Sequence, residues 1–543
     1  MKNDMVRFLV VLALTCMTSW CVYVCLQRPP LGVDDAHIFL AYGQNIAQGH
    51  GFVYLPGGER VEGYSSSLWT LLAAVACALT ARPQIGLLVA GIVFVSLALT
   101  ALWRWLDDGP RVTWRGLLFL AWVFSSPSFI LWTSISLMDT ALWSSILIFA
   151  VIAAVSGNAP RRLSVWILLA LLARPEAMLW GPVLIGLAGL GAATQRGVNA
   201  ALREARLPIA VYLVVLAMLT AFRMVYFGYP LPNTYYAKMS PDILYNMKEG
   251  FIYLASFLWS NLQIIVVLLG TLTGLVLYAP RFVALLRAPS TQASDRARVQ
   301  FVLVSIVALI GLLVPVFTGG DHFKQFRFYQ PVWPLLFLAP AGLIRVLRHR
   351  IPDWGEDALV LIVAILLFAA PSVNWGTQHK NDCIRIEFEI AEDGAQLGTT
   401  LNALFKEDPP SIGVIIAGAI AFTYQGDVID AMGLNNVTMA HTPGPRHGIK
   451  NHAAFNRDVL LAQRPDLFFP IIGPGRKELL EQRRLEHDWA NKIFKGLLDD
   501  EAFLAVYEHI FIRNSDRSIM VYVHQDYLPR LTERGLDWKA VDP

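Results

Sequence analysis

Charge is scarce in this chain: Asp, Glu, Lys and Arg make up 16% of its 543 residues, against roughly 25% in a soluble domain. With 55% hydrophobic residues and a mean hydropathy of +0.49, that scarcity excludes disorder, a coiled coil and a water-soluble enzyme, because too much apolar surface would face water. Cysteine is scarcer still. Of the five, Cys16, Cys21, Cys25 and Cys77 lie in apolar runs and Cys383 stands alone, so neither a disulfide framework nor a CxxC metal site is available. The fingerprints GxxxxGK[ST], HExxH, GxSxG and GxGxxG are missing too, and Gly418, Gly426 and Gly433 are spaced for loop turns. A net charge of +3 is too small to suggest nucleic acid. Residues 1–371 hold 26 Lys and Arg against 17 Asp and Glu, and residues 372–543 hold 18 against 24. A basic, apolar part therefore precedes an acidic, water-facing tail, and we expect two units divided at 371/372.

A bilayer core needs about 20 apolar residues per helix. Spans are expected near 6–26, 84–103, 116–132, 140–156, 163–173, 177–193, 207–222, 262–280, 300–317, 331–346 and 358–371. The apolar stretch 66–80 is placed as a half-buried helix on the outer surface, since a span there would put the basic segment 104–115 outside. The first span follows Lys2 and Arg7 without a clean small-x-small cleavage site, and is expected to stay uncleaved. With the N-terminus inside, 17 of the 26 Lys and Arg fall in inner segments, as short cytoplasmic loops require. Eleven spans then put the tail outside. The tail reads as α/β, with strand-like runs at 412–416, 466–472, 503–512 and 518–524 and a charged helical pattern over 477–497.

On this topology six segments bring polar residues to one face: Asp34-Asp35, the stretch from Glu59 through Glu62 to Tyr64, Asp139, Arg174-Pro175-Glu176, Asn233 through Tyr236 to Lys238, and Asp321-His322 through Lys324 to Arg327. Charges at a membrane boundary are costly and mark functional candidates. Adjacent carboxylates repel unless a cation, a metal or a partner compensates, and one so placed can act as a general base. The same pair also fits a helix end capping residues 36–47. Asp139 fits an N-cap of the fourth span, and Arg174 can simply pair with Glu176 across the proline. Lys238, His322, Lys324 and Arg327 suit a phosphate, or else lipid headgroups. The aromatics Tyr42, Tyr54, Tyr64, Tyr235, Tyr236, Phe326 and Tyr329 fit an interfacial belt or a surface on which sugars stack. Short basic inner loops leave no room for a nucleotide-fed site. An enzyme acting outside would take a substrate already activated and membrane-borne, such as a polyprenyl-phosphate sugar, whose phosphate leaves with help from cations alone.

The segments Val33-Asp34-Asp35-Ala36-His37, Arg60-Val61-Glu62-Gly63-Tyr64, Leu172-Ala173-Arg174-Pro175-Glu176, Pro232-Asn233-Thr234-Tyr235-Tyr236-Ala237-Lys238 and Gly319-Gly320-Asp321, with Asp427-Val428-Ile429-Asp430 and Arg464-Pro465-Asp466 in the tail, resemble bacterial GT-C glycosyltransferases. They are most similar to the mycobacterial terminal β-(1→2) arabinofuranosyltransferase family and its relatives that glycosylate surface proteins such as type IV pilin. The resemblance implies a polytopic α-helical membrane protein of the GT-C type, about 11 transmembrane helices, with a C-terminal periplasmic α/β domain, in a bacterial inner membrane. It implies an inverting transfer of a sugar, D-arabinofuranose by preference, from a polyprenyl-phosphate donor to an envelope glycan or pilin-like protein. Carried over, Asp34 and Asp35 are catalytic, and Glu62, Tyr64, Asp139, Arg174, Glu176, Asn233, Tyr236, Lys238, Asp321, His322, Lys324 and Arg327 bind substrate. Relatives usually show Gly-Leu-Glu-Thr where this chain has Leu137-Met138-Asp139-Thr140, and His37 replaces a more usual aromatic. Paired aspartates leave a divalent cation at Asp34 and Asp35 open. The alternative is a lipid-linked saccharide flippase or transporter, which would place its charges nearer mid-membrane, often in inverted repeats.

Overall fold

The structure, a computed structural model, describes residues 2–107, 112–157, 159–347, 384–444, 446, 453–471, 488–514 and 517–541. The expected span 358–371 and the expected boundary at 371/372 lie outside the described residues. Helices α1 (Lys2–Cys25), α2 (Asp34–Ala47), α3 (Ser67–Leu79) and α4 (Pro83–Leu106) lead into α5 (Trp114–Phe124), α6 (Pro127–Thr133), α7 (Thr140–Ser156) and α8 (Pro160–Ala173). They are followed by α9 (Ala177–Arg196), α10 (Val198–Tyr226), α11 (Asn233–Lys238), α12 (Ile243–Ser260), α13 (Leu262–Arg287) and α14 (Ala293–Phe317).

Among the described residues six helices, α1, α4, α9, α10, α13 and α14, are long and apolar enough to cross a membrane, or seven if α5 and α6 count as one broken span. The difference from eleven has local causes. The run 116–132 is not one helix: Ser126 caps a new one at Phe129 N and Pro127 opens it, and the two pieces meet at 73°, because proline fits a first turn but not a helix interior. The run 331–346 is broken likewise, into a 3-10 turn (Arg327–Val332), α15 (Trp333–Leu336) and α16 (Leu338–Leu347). Helices α7 and α8 are merely short. α12 has no counterpart among the expected spans, since Asn246, Lys248 and Glu249 interrupt its apolar pattern. Along α10, Leu213, Val214, Met218 and Val225 are all more than half exposed, apolar surface that suits lipid rather than water.

Aromatic packing fixes the broken segment after α14. Trp122 of α5 and Trp333 stack at 4.6 Å and 13°, and each indole N–H donates to the other's backbone carbonyl, at 2.9 and 3.3 Å. Tyr329 stacks on Phe257 and Tyr253 of α12. These contacts hold Arg327, at the head of the 3-10 turn, against α6 and α7.

The tail forms a six-stranded sheet in the order β2-β1-β3-β5-β4-β6, with β1 (Ile412–Val414), β2 (Val428–Asp430), β3 (Leu467–Phe469), β4 (Tyr507–Asn514), β5 (Arg517–His524) and β6 (Asp537–Ala540). β1 pairs in parallel with β2 and β3, Ile412 lying opposite Val428 and Leu467, while the second half is antiparallel. β1 and β3 are buried throughout, as strands covered on both faces are. The expected strand 503–512 begins only at Tyr507, because Asp500 caps a short helix at Phe503. Strands β2 and β6 were not foreseen, and residues 477–487 of the expected charged helix lie outside the described residues. The loops after β1 and β2 lie against α2 and α11.

Candidate functional site

The adjacent carboxylates Asp34 and Asp35 leave the first turn of α2 in opposite directions. Asp34 is 8% exposed. It does not cap its own helix; the N-cap is Val33, without a side-chain bond. Its two oxygens instead accept N–H bonds from Gly418, at 2.9 Å, and Ala419, at 2.8 Å, at the start of the tail helix Ala419–Thr423. Burial pushes its carboxyl up to about 7, partly offset by the Ala419 N–H and reinforced by Asp35.

Asp35 opens instead onto a cavity of about 350 Å³. One of its oxygens faces Lys238 Nζ at 3.5 Å and Arg327 Nη1 at 3.4 Å. Burial alone would raise this carboxyl, but Lys238, Arg327 and His322 outweigh it and hold it below the ordinary range. Arg327 has a closer partner: its Nε donates to Asp321 at 2.7 Å. That pairing overcomes burial and keeps Asp321 firmly ionised. Ile38, Phe39, Leu179, Leu231 and Met239 give the rest of the cavity an apolar lining.

A second ion group forms another wall. Arg174 donates to Asp139 at 2.7 Å and grips Glu176 through Nε and Nη2, at 3.1 and 2.8 Å. Burial opposes the Glu176 charge, and Arg174 more than restores it. Asp139 precedes α7 but makes no capping bond; it is fully buried and serves Arg174. Arg174, Glu176, Tyr64 and Lys238 line the cavity with Asp35 and Arg327.

Other expected residues support the walls from behind. Glu62 is locked by Arg223 in a bidentate pair at 2.8 and 3.0 Å. Arg223 went unrecognised because it follows an apolar run as an apparent end-of-helix cation; its signal was the absence of any other partner for Glu62. Asn233 donates to the carbonyls of Gly433 and Leu434, at 2.8 and 3.1 Å, and Leu434 reaches the cavity. The turn that presents them is built on Asp430, whose carboxylate accepts the N–H of Met432, Gly433 and Asn435. Tyr236 lies against His441, ring centroids 4.2 Å apart, and not in the cavity. His322 sits beside Asp321, 3.4 Å away, and Lys324 is exposed; neither lines the cavity. The Gly418 and Ala419 amides carried no signal, since backbone donors look alike in any sequence.

The residues do not fit a divalent ion bridging Asp34 and Asp35. Both Asp34 oxygens are taken by backbone N–H groups, and the free face of Asp35 meets two cations. Among the described residues no three His, Cys, Asp or Glu side chains converge as a metal site.

No protein-family model matches this sequence, and no curated protein does. Among solved structures, the oligosaccharyltransferase of Archaeoglobus fulgidus, in complex with Zn and sulfate, is similar with a TM-score of 0.51 at 11% identity, over 96% of this chain and 73% of that one. Archaeal AglB from Archaeoglobus fulgidus, in complex with an inhibitory peptide and a dolichol-phosphate, gives 0.47 at 10% identity over 95% and 74% of the two chains. ArnT from Cupriavidus metallidurans, bound to undecaprenyl phosphate, gives 0.46 at 10% identity over 80% and 87%. At these identities the likeness is one of architecture, and it reaches a TM-score above 0.5 only for the first: this largely helical, multi-pass membrane chain shares its fold with that oligosaccharyltransferase.

Proposed function

We propose that this protein is an inverting glycosyltransferase that moves a sugar, D-arabinofuranose by preference, from a polyprenyl-phosphate donor to an envelope glycan or pilin-like protein. One observation carries the reading: Asp35 is ionised and faces two cations that no closer contact ties to it, in a cavity whose other carboxylate, Glu176, is gripped by Arg174. The fold shared with an oligosaccharyltransferase supports the same class, and the flippase alternative gains no support from it. On this reading the cavity opens on the periplasmic side of a bacterial inner membrane, the N-terminus is cytoplasmic, eleven spans cross, and residues 372–543 form a periplasmic α/β domain that helps place the acceptor.

The chemistry follows from the groups present. The donor's isoprenoid lies along Ile38, Leu179, Leu231 and Met239, and its phosphate meets Lys238 and Arg327. Both cations stand far enough from Asp35 to turn toward a phosphate. An acceptor hydroxyl oxygen attacks the anomeric carbon, the bond to the phosphate oxygen breaks with its electron pair, and Asp35 takes the hydroxyl proton. The cations neutralise the phosphate as it leaves, so no general acid is needed. Attack from the face opposite the leaving group inverts the anomeric centre. Asp139, Arg174 and Glu176 keep the far wall rigid, and Glu62 does so through Arg223.

Purified protein incubated with a panel of polyprenyl-phosphate sugars tests the reading. Consumption of the arabinofuranosyl donor with release of polyprenyl phosphate is expected. If no donor in the panel is consumed in the presence of arabinan or pilin acceptor, the reading is wrong.

A further inference from the structure

Asp34 has no outlet to the cavity, yet it is held more tightly than Asp35. Its two N–H bonds, at 2.8 and 2.9 Å, are short. The contacts of Asp35 to Lys238 and Arg327, at 3.5 and 3.4 Å, are too long to fix a side chain. The turn that grips Asp34 admits glycine alone: a Cβ on Gly418 would lie 1.9 Å from the Asp34 carbonyl oxygen and 2.9 Å from its Cγ. One residue earlier, the Tyr54 hydroxyl donates to the Ala417 carbonyl at 2.5 Å, tying the same turn to the loop after α2. This turn follows β1, at the carboxyl ends of the parallel strands, where open α/β sheets ordinarily receive a ligand. Here the first turn of α2 fills that position.

We propose that Asp34 is a positioning residue: it latches the first turn of α2 onto the Ala417–Gly418–Ala419 turn of the tail, and so sets where Asp35 stands in the cavity. The tail is then a working part of the site, since its backbone amides aim the base. This deepens the functional reading above and rests on it only where activity is measured.

The test uses the full-length protein in detergent or nanodiscs, with Asp34→Asn, Gly418→Ala, their double variant, and Asp35→Asn. Amide hydrogen exchange is read at residues 418 and 419, and transfer kinetics are measured in parallel. Asp34→Asn is expected to speed exchange at those two amides about tenfold, the worth of one hydrogen bond, while Asp35→Asn leaves them unchanged. In transfer, Asp34→Asn and Gly418→Ala should each lower kcat with little change in donor KM. The double variant should be no worse than the worse single, because both release the same latch. Unchanged exchange at 418 and 419 in Asp34→Asn overturns the proposal, as do losses in the double variant that multiply. Should Gly418→Ala not fold, the near-isosteric Asp34→Asn decides by itself. A wild-type protein that consumes no donor would remove the transferase reading, and the exchange measurement would still decide the latch.

Discussion

The seam that holds Asp34 and the cavity that holds Asp35 lie on two sides of one helical turn. In the seam the compensation is neutral: two backbone amides oppose burial, to which Asp35 and Glu387 add like charge, so burial prevails and the carboxyl rises to about 7. In the cavity it is charged: Lys238, Arg327 and His322 overcome burial and keep the carboxyl ionised. Two chemically identical side chains, adjacent in sequence, thereby meet opposite surroundings, which on the proposed reading make one a fastener and the other a reactive group. A pair of acids in a loop is thus a weak guide to paired function. What each acid meets across the fold decides its role.

That contrast is sharpest in activity. Asp35→Asn removes the cavity carboxylate that faces Lys238 and Arg327, Glu176 being taken up by Arg174, and a general base contributes about 10²–10⁴-fold, so kcat should fall by that range. Asp34→Asn should cost less, since it loosens the geometry and leaves the base in place. Equal losses in a transfer assay would erase the distinction.

Next in size is an effect on stability. Arg327 is 5% exposed, and Arg327→Ala takes the close guanidinium partner from Asp321 and one of the two facing cations from Asp35. Removing one partner of a buried ion pair costs about 3–5 kcal/mol, which chemical unfolding in detergent would register. Lys238→Ala breaks a longer, partly exposed contact and should cost about 1 kcal/mol or less. A larger loss for Lys238→Ala would show that the fold leans on Lys238 more than on the buried Arg327–Asp321 pair.

The opposite shifts also give opposite pH signs. Asp34 binds its proton more tightly when folded than when unfolded, its value moving from 3.8 to about 7. Its contribution is therefore complete below 3.8 and is lost as pH rises toward 7. Asp35, shifted down, stabilises the fold above its ordinary value, and that is lost only as pH falls through its lowered one. Between pH 5 and 7 the wild-type unfolding midpoint should therefore fall relative to that of Asp34→Asn. Parallel curves for the two proteins would show that the seam does not hold the Asp34 carboxyl as a proton trap.

Much of this was readable in advance where the physics is local. Apolar runs of sufficient length announced α4, α9 and α14, and the Arg174-Pro175-Glu176 junction announced the break between α8 and α9. Pro127 after Ser126 carried a helix-start signal, overridden by the apolar residues on either side. α12 escapes because one polar patch hides an amphipathic helix from a search for uninterrupted apolar runs, and β2 because Asp427 and Asp430 close its apolar run to two residues, whereas β1 and β3 continue into apolar neighbours. Of the expected site residues, the fold brings Asp35, Tyr64, Arg174, Glu176, Lys238 and Arg327 to one cavity, and all but Tyr64 stand out in the sequence because charge in an apolar setting is conspicuous. The contacts of Arg223 and of the Gly418 and Ala419 amides exist only once distant segments meet, and Tyr236, His322 and Lys324 stand off the cavity wall because a loop position does not say which way a side chain turns.

Lys324 supplies the smallest effect and separates sequence proximity from placement. It lies three residues from Arg327, carries the charge a phosphate clamp calls for, and belongs to the same loop. In the fold it is exposed and absent from the cavity wall, whereas Lys238, contributed by α11, reaches the same oxygen of Asp35 as Arg327 does. Exposed substitutions of this kind usually stay within about 0.5 kcal/mol, so Lys324→Ala should leave donor KM within roughly twofold. Lys238→Ala, which removes a cation from the cavity, should raise donor KM by clearly more. Measuring both variants with one donor ranks the two lysines. If Lys324→Ala raised KM as much as Lys238→Ala, the phosphate would have to sit outside the cavity, nearer the loop surface, and Asp35 would lose its claim to be the base beside it.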